Sequence, residues 1–210
     1  TQGEMNQINK YKKDVDGVTG KNTPNVTQYG LVHLDGTQAT TYARIRKLSG
    51  DDFKRASRQR IVLQAMLEKA KKANPATLVK ICNSVVDDIS TTLSLDQMVS
   101  LAKDVTKYKI NSTTGFPTDL TTKNMPRCGD TVIPADLVTN VKKLHEYMFD
   151  DAAYTPSQTV QAISETIVNT TGITADSAKI NTSDYNETVG ATGTDEIQKG
   201  SETTGGTNVQ

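Results

Sequence analysis

Tryptophan is absent from this chain, and only three phenylalanines and two cysteines occur among its 210 residues. Without indoles, and with few rings of any kind, single-stranded nucleic acid has no obvious platform to stack on. An excess of either charge is missing as well, since 24 Lys+Arg balance 24 Asp+Glu. Duplex binding draws on basic surplus, so neither RNA nor DNA is an expected partner. No apolar run approaches the ~18 residues that mark a membrane-spanning helix. The two cysteines, Cys82 and Cys128, are too few for a disulfide scaffold and read as free thiols. Apolar residues supply only 35% of the chain, so part of it is expected to bury nothing. The opening at Thr1 is polar, which reads as a cut end rather than a signal peptide.

What is there is helical punctuation. Residues 4–14 read as a short polar helix, and "DGVTGKNTPNVTQYG" after it as a loop. Asp35 stands ready to cap a helix from Gly36 to about Arg44. Asp51 or Asp52 can cap a longer helix reaching about Lys72, with Val62, Leu63, Met66, Leu67 and Ala70 as its inner stripe. Asn74-Pro75 pairs an N-cap with a first helical residue. Leu78, Ile81, Cys82, Val85 and Ile89 then follow at helical spacing. "SLDQ" from Ser94 to Gln97 is a capping box, opening a helix with Met98, Leu101, Ala102 and Val105 inward. "KYKI" and "DTVIP" are strand candidates. "DLVTNVKKLHEYMF" is an amphipathic helix burying Leu137, Val141, Leu144 and Met148. A further helix is predicted from Ser157 to about Asn169. From Ile173 onward Thr, Gly, Ser, Asn and Asp dominate, a composition expected to stay disordered.

The densest chemistry lies in "YARIRKLSGDDFKRASRQRIVLQ", which carries Arg44, Arg46, Arg55, Arg58 and Arg60. Arg55 and Gln59 are four apart on one helix, so they share a face near its N-terminus, where an anion is favoured. Arg60 falls on another face and is expected in solvent, with Arg58 intermediate. Arg44 and Arg46 share a side only if the chain leaves the helix near Arg44. Guanidinium groups bind phosphate oxygens through paired planar hydrogen bonds, so this set suits a pyrophosphate. The competing reading is a surface helix whose arginines pair with Asp51, Asp52 and Glu68. The two histidines, His33 and His145, offer no pair for metal binding or nucleophilic catalysis.

The stretch "LDGTQATTYARIRKLSGDDFKRASRQRIVLQAM" resembles the C-terminal signature of the LytR-CpsA-Psr family. Leu34-Asp35-Gly36, Gln38-Ala39, Tyr42, Arg44, Arg46, Asp52, Arg55, Arg58 and Gln59 fit it in order. "STTLSLDQMVSLAKDVTKYKI", "TTGFP" and "VIPADLVTNVKKLHEYMF" extend the likeness to about residue 170. The resemblance implies membrane-anchored enzymes on the outer face of mostly Gram-positive cells. These move a glycopolymer, such as teichoic acid or capsule, from a polyprenyl-pyrophosphate carrier onto peptidoglycan, with Mg²⁺ assisting. It implies an α/β fold, here the helix-rich C-terminal part of an α/β/α sandwich with a disordered tail. The corresponding division is residues 1–150 for the catalytic-domain portion, 151–172 for a helical extension and 173–210 for the tail. By motif position, Arg44, Arg46, Arg55 and Gln59 match the family's pyrophosphate-contacting residues, with Arg58 a possible addition.

The same likeness places the membrane anchor and the Mg²⁺ ligands in an N-terminal half outside this sequence. Asp35 and Asp52 read as helix caps, no metal ligand is named, and the catalytic residue stays unassigned. Expected partners are a polyprenyl-pyrophosphate-linked glycopolymer and peptidoglycan. Two other functions remain open: a non-catalytic module for polyprenyl phosphates or other anions, and a transcriptional regulator.

Overall fold

Capping chemistry sets most of the element boundaries. Thr1 and Glu4 form a capping box at the start of α1, Gln2–Thr19, which ends on Gly20 in the left-handed region (φ 69°). Asp35 and Gln38 form the next box and open α2, Gly36–Arg44. α3 spans Asp51–Lys71 and α4 spans Pro75–Val85, with the Thr77 amide donating to Asn74 Oδ1 at 2.8 Å. A 3₁₀ turn, Val86–Asp88, follows. Ser94 and Gln97 form the expected box before α5, Leu95–Lys103. In the second half come β1, Asp119–Met125, β2, Gly129–Pro134, α6, Leu137–Phe149, α7, Gln158–Thr171, and the two-residue β3, Ile180–Asn181.

The structure, a computed structural model, describes residues 1–46, 48 and 51–186. They fall into two units, Thr1–Tyr108 and Lys109–Asn186. The described part is mostly helical, with one small antiparallel sheet in strand order β2-β1-β3.

In the first unit, α1 and the loop after it are tied together through side chains. Asn9 exchanges two hydrogen bonds with the backbone of Val26, at 2.8 and 2.7 Å. Asp16 accepts from both the amide and the hydroxyl of Thr23, and the Lys12 ammonium donates to the Thr23 carbonyl. Gln38 donates from its amide to the Pro24 carbonyl at 3.0 Å, which fastens α2 to the same loop. Ile8, Val15 and Ile45 are the buried apolar residues here, joined by buried Thr37, Gln38, Thr41, Ser57 and Arg58.

The inner stripe predicted for α3 is not a core. Leu63 and Met66 are 59% and 60% exposed, while Ser57 and Arg58 are buried. The helix is covered along its early turns, where Glu4 and Ile45 meet it, rather than along its late ones. α4 and α5 likewise have no fully buried residue, and Val79, Ile81, Val85, Ile89, Leu95 and Leu101 stand exposed.

In the second unit, the sheet packs Leu120 and Ile133 inward beside Ala135. β1 pairs with β2 from Leu120↔Pro134 to Met125↔Gly129. Asn140 of α6 is fully buried and clamps the start of β1, accepting from the Asp119 amide at 2.9 Å and donating to the carbonyls of Asp119, Ala135 and Asp136. Its side chain reproduces the donor–acceptor edge of a neighbouring strand.

"KYKI" forms no strand. A 3₁₀ turn covers Val105–Lys107, and the Tyr108 hydroxyl donates back to the Leu101 carbonyl. Residues 173–186 are ordered, against expectation. Ile180 and Asn181 pair with Leu120 and Asp119, and Thr182 is buried with its hydroxyl on the Gly115 carbonyl at 2.9 Å. Backbone pairing with β1 supplies what the polar side chains lack in burial. The remainder of the expected disordered tail, 187–210, lies outside the described residues.

Candidate functional site

α2 ends at Arg44, and Ile45 turns the backbone to an extended conformation (φ −59°, ψ 127°). This is the exit that lets Arg44 and Arg46 share a side. Ile45 between them points inward and is buried, so both flanking arginines are exposed. Arg44 and Arg46 line one cavity of about 190 Å³, whose opposite wall is α1 through Gln7, Tyr11 and Asp14.

Asp52 links the second pair. Its Oδ1 lies 2.9 Å from Arg46 Nε and 3.2 Å from Arg55 Nη1, and its Oδ2 accepts from Arg46 Nη2 at 3.2 Å. One carboxylate thus gathers the two guanidinium groups and leaves other N–H donors of each available. Asp52 lies within the first turn of α3 and is engaged with arginines rather than serving as the cap expected of it; the Asp51 side chain lies outside the described residues. Gln59 is exposed, one turn beyond Arg55 on the same helix face. Arg55 and Gln59 do not line the Arg44–Arg46 cavity.

Arg58 differs from its neighbours. It is 3% exposed, its Nε donates to Glu4 Oε1 at 2.7 Å, and its Nη1 donates to the Ile45 carbonyl at 3.4 Å. Considered as a further anion contact, it is instead a tie between α1, the Arg44–Arg46 segment and α3. Burial acts to raise the Glu4 carboxyl, but hydrogen bonds from Arg58 and the Thr1 amine outweigh it and hold Glu4 below its ordinary value. Arg60, expected in solvent, is half-buried with a buried Nε. Glu68 pairs with Lys71, not with an arginine of the cluster.

Among the described residues, no group of three or more His, Cys, Asp or Glu side chains is placed to hold a metal ion. Mg²⁺ wants several oxygen ligands in octahedral array. The Asp52 oxygens face two guanidinium groups and those of Asp16 face Thr23, so among the described residues these two carboxylates are engaged elsewhere and do not fit that ion. Cys82 and Cys128 are free.

The α1 wall of the cavity was not singled out from sequence. Its signal was the spacing of Gln7, Tyr11 and Asp14, which puts all three on one helical face opposite the arginines.

Guanidinium groups are the side chains that pair with phosphate oxygens through paired planar hydrogen bonds, and Arg44 and Arg46 present theirs exposed beside a cavity. The chain belongs to the LytR_cpsA_psr family, whose model matches residues 6–130. It is 31% identical over 113 residues to the polyisoprenyl-teichoic acid–peptidoglycan teichoic acid transferase TagU of Bacillus mycoides, covering 49% of this chain and 37% of that protein. It is 35% identical over 77 residues to the TagU of Enterococcus faecalis, covering 36% and 25%. For the TagU of Bacillus anthracis the identity is 30% over 105 residues, covering 45% and 35%. The matched stretch therefore spans between a quarter and two-fifths of these relatives. No solved structure matches the chain.

Proposed function

We propose that this chain contributes the pyrophosphate-binding arginines of a cell-envelope transferase that passes a glycopolymer from a polyprenyl-pyrophosphate carrier to peptidoglycan. The observation that carries the reading is the geometry of Arg44, Arg46 and Arg55: two flank one cavity, and two are joined through Asp52. Family membership supplies the reaction class. The fold this reading implies is the helix-rich C-terminal part of an α/β/α sandwich.

In the reaction, an acceptor hydroxyl oxygen attacks the sugar-side phosphorus. The phosphoanhydride bond to the lipid-side phosphate breaks, polyprenyl phosphate departs, and one proton passes from the hydroxyl to the departing side. Negative charge grows on the bridging and lipid-side oxygens as that bond breaks. Fixed guanidinium groups stabilise this charge most when they are already oriented, which is the task of Asp52 at Arg46 and Arg55. Gln59 adds an uncharged donor one turn along from Arg55. The exposed aliphatic side chains of α3 and α4, among them Leu63, Met66, Ile81 and Val85, offer apolar surface to a polyprenyl chain.

The test is lipid-pyrophosphate binding and glycopolymer transfer by this chain, alone and within a full-length relative. Weak binding without transfer is expected for the chain alone. Arg44→Ala or Arg55→Ala is expected to weaken binding by roughly 1.5–3 kcal/mol, the range for hydrogen bonds to charged groups. Binding that ignores both substitutions overturns the assignment. Transfer by the chain alone at the full-length rate shows that it carries more of the machinery than the arginines.

A further inference from the structure

We propose that the open groove between α6 and α7 binds a short zwitterionic peptide, its carboxylate on Lys142 and its ammonium on Glu165. The groove lies wholly within the second unit and outside residues 6–130, the stretch matched by the family model. The inference therefore stands apart from the arginine reading.

Helix spacing builds the two walls. Val138 and Lys142 are four apart on α6, while Ser164, Glu165 and Val168 share a face of α7. The walls are tied together. The Ser164 hydroxyl donates to Asp136 Oδ1 at 2.8 Å and accepts from the Val138 amide at 3.4 Å. The groove is thus formed before a ligand arrives, which spares binding an ordering cost. Its volume is about 530 Å³, within the ~300–1,000 Å³ of small-molecule sites. A dipeptide fits that space.

The lining is graded from inside to outside. Pro156 is buried, Val138 and Val168 are half-buried, and Lys142, Glu165 and Asn169 are exposed. Apolar surface lies deep and charge stands at the rim. A peptide matches that order, with a small side chain inward and its charged ends outward. The Asn169 carboxamide can both donate to and accept from a peptide bond.

Charge decides the class of ligand. Lys142 and Glu165 line one groove from opposite helices, yet neither has an ion pair or hydrogen bond among the described residues. A simple anion drawn to Lys142 is repelled by Glu165, and a simple cation meets the converse. A ligand carrying both charges, in the opposite order, is attracted at both ends.

The experiment is NMR titration of the chain with L-alanyl-L-alanine, its N-acetyl derivative and its C-terminal amide, following the amides of α6 and α7. The free dipeptide is expected to bind about tenfold tighter than either blocked form, the lower end for one hydrogen bond to a charged group. Lys142→Gln is expected to abolish the preference over the amide and keep the preference over the acetylated form. Glu165→Gln is expected to do the reverse. Both side chains are exposed and without partners among the described residues, so both variants are expected to fold. The same titration with D-alanyl-D-alanine separates two sources of such a peptide. Tighter binding of the D form points to peptidoglycan, and tighter binding of the L form to a protein chain; either result supports the site. Equal affinity for the free and blocked dipeptides overturns the proposal. So do preferences that survive both substitutions, shifts confined to other elements, and failure of the dipeptide to bind.

Discussion

Arg58 Nε and Glu4 Oε1 lie 2.7 Å apart, an ion pair between residues separated by 54 positions. Its second contact, to the Ile45 carbonyl, places it behind the backbone that presents Arg44 and Arg46. Removing one partner of a buried pair leaves a charge without compensation. Arg58→Ala is therefore expected to destabilise the first unit by roughly 3–5 kcal/mol. Arg44→Ala, at an exposed helix end, is expected to stay within about 0.5 kcal/mol of the parent. Chemical denaturation of the two variants checks the contrast. Equal stabilities would remove Arg58 from its supporting role.

Acid should find the second unit through Asp136. Burial acts to raise its carboxyl, but bonds from the Thr139 hydroxyl and amide, the Ser164 hydroxyl and the Val138 amide hold it below its ordinary value. A lowered folded-state value means stability that is complete above the ordinary Asp range near about 4 and is lost as pH falls through and below it. Glu4 acts in the same direction in the first unit. Ser164→Ala should shrink the acid-dependent part of the second unit's stability. Melting temperatures from pH 7 down to pH 2 test this, and an unchanged slope in the variant would contradict it.

Asn140 is the most heavily used amide in the second unit, with one bond accepted and three donated. Asn140→Ala strands the amide of Asp119, while the Asp119 carbonyl keeps the Ala135 amide as donor at 2.9 Å. The expected cost is roughly 1–3 kcal/mol, from one backbone amide losing its partner. Asn140→Asp should also destabilise, because a carboxylate cannot donate to three carbonyls. Hydrogen exchange at the Asp119 amide reports the effect directly.

Gly115 sits where a side chain does not fit. A Cβ there would lie 2.9 Å from Thr182 Cβ. Gly115→Ala is expected to cost about 1–3 kcal/mol, as overpacking does. A chain ending at Lys179 should lose β3 and the Thr182 contact and show a comparable loss. If that shortened chain melts like the parent, residues 180–186 are not part of the second unit's stability.

The helices were legible because their signals are local. Asp35 with Gln38, Ser94 with Gln97, and Asn74 with Pro75 state their boundaries within four residues. β1 was not, because "DLTTKNM" has almost no apolar alternation and its identity depends on pairing with β2 and β3. "KYKI" has the composition of a strand but no partner strand among the described residues. The arginine motif showed where positive charge collects. It did not separate Arg58, turned inward to Glu4, from Arg55, turned to Asp52, since three residues along a helix distinguish them only once a neighbour is known.

On the proposed reading, the Asp52 bridge would bear on how a turnover ends. Arg44, Arg46 and Arg55 bring three fixed positive charges, and the carboxylate between two of them subtracts one. On the proposed reading, a pyrophosphate diester, with about two negative charges, meets a local field that matches it rather than exceeds it. When the phosphoanhydride bond breaks, the charge divides between two products that no longer share one anchor. A site with three uncompensated guanidinium groups would hold the departing phosphate strongly and delay the next cycle. On the same reading Asp52 tempers that grip, so one carboxylate would both aim the cations and limit how long the spent carrier stays.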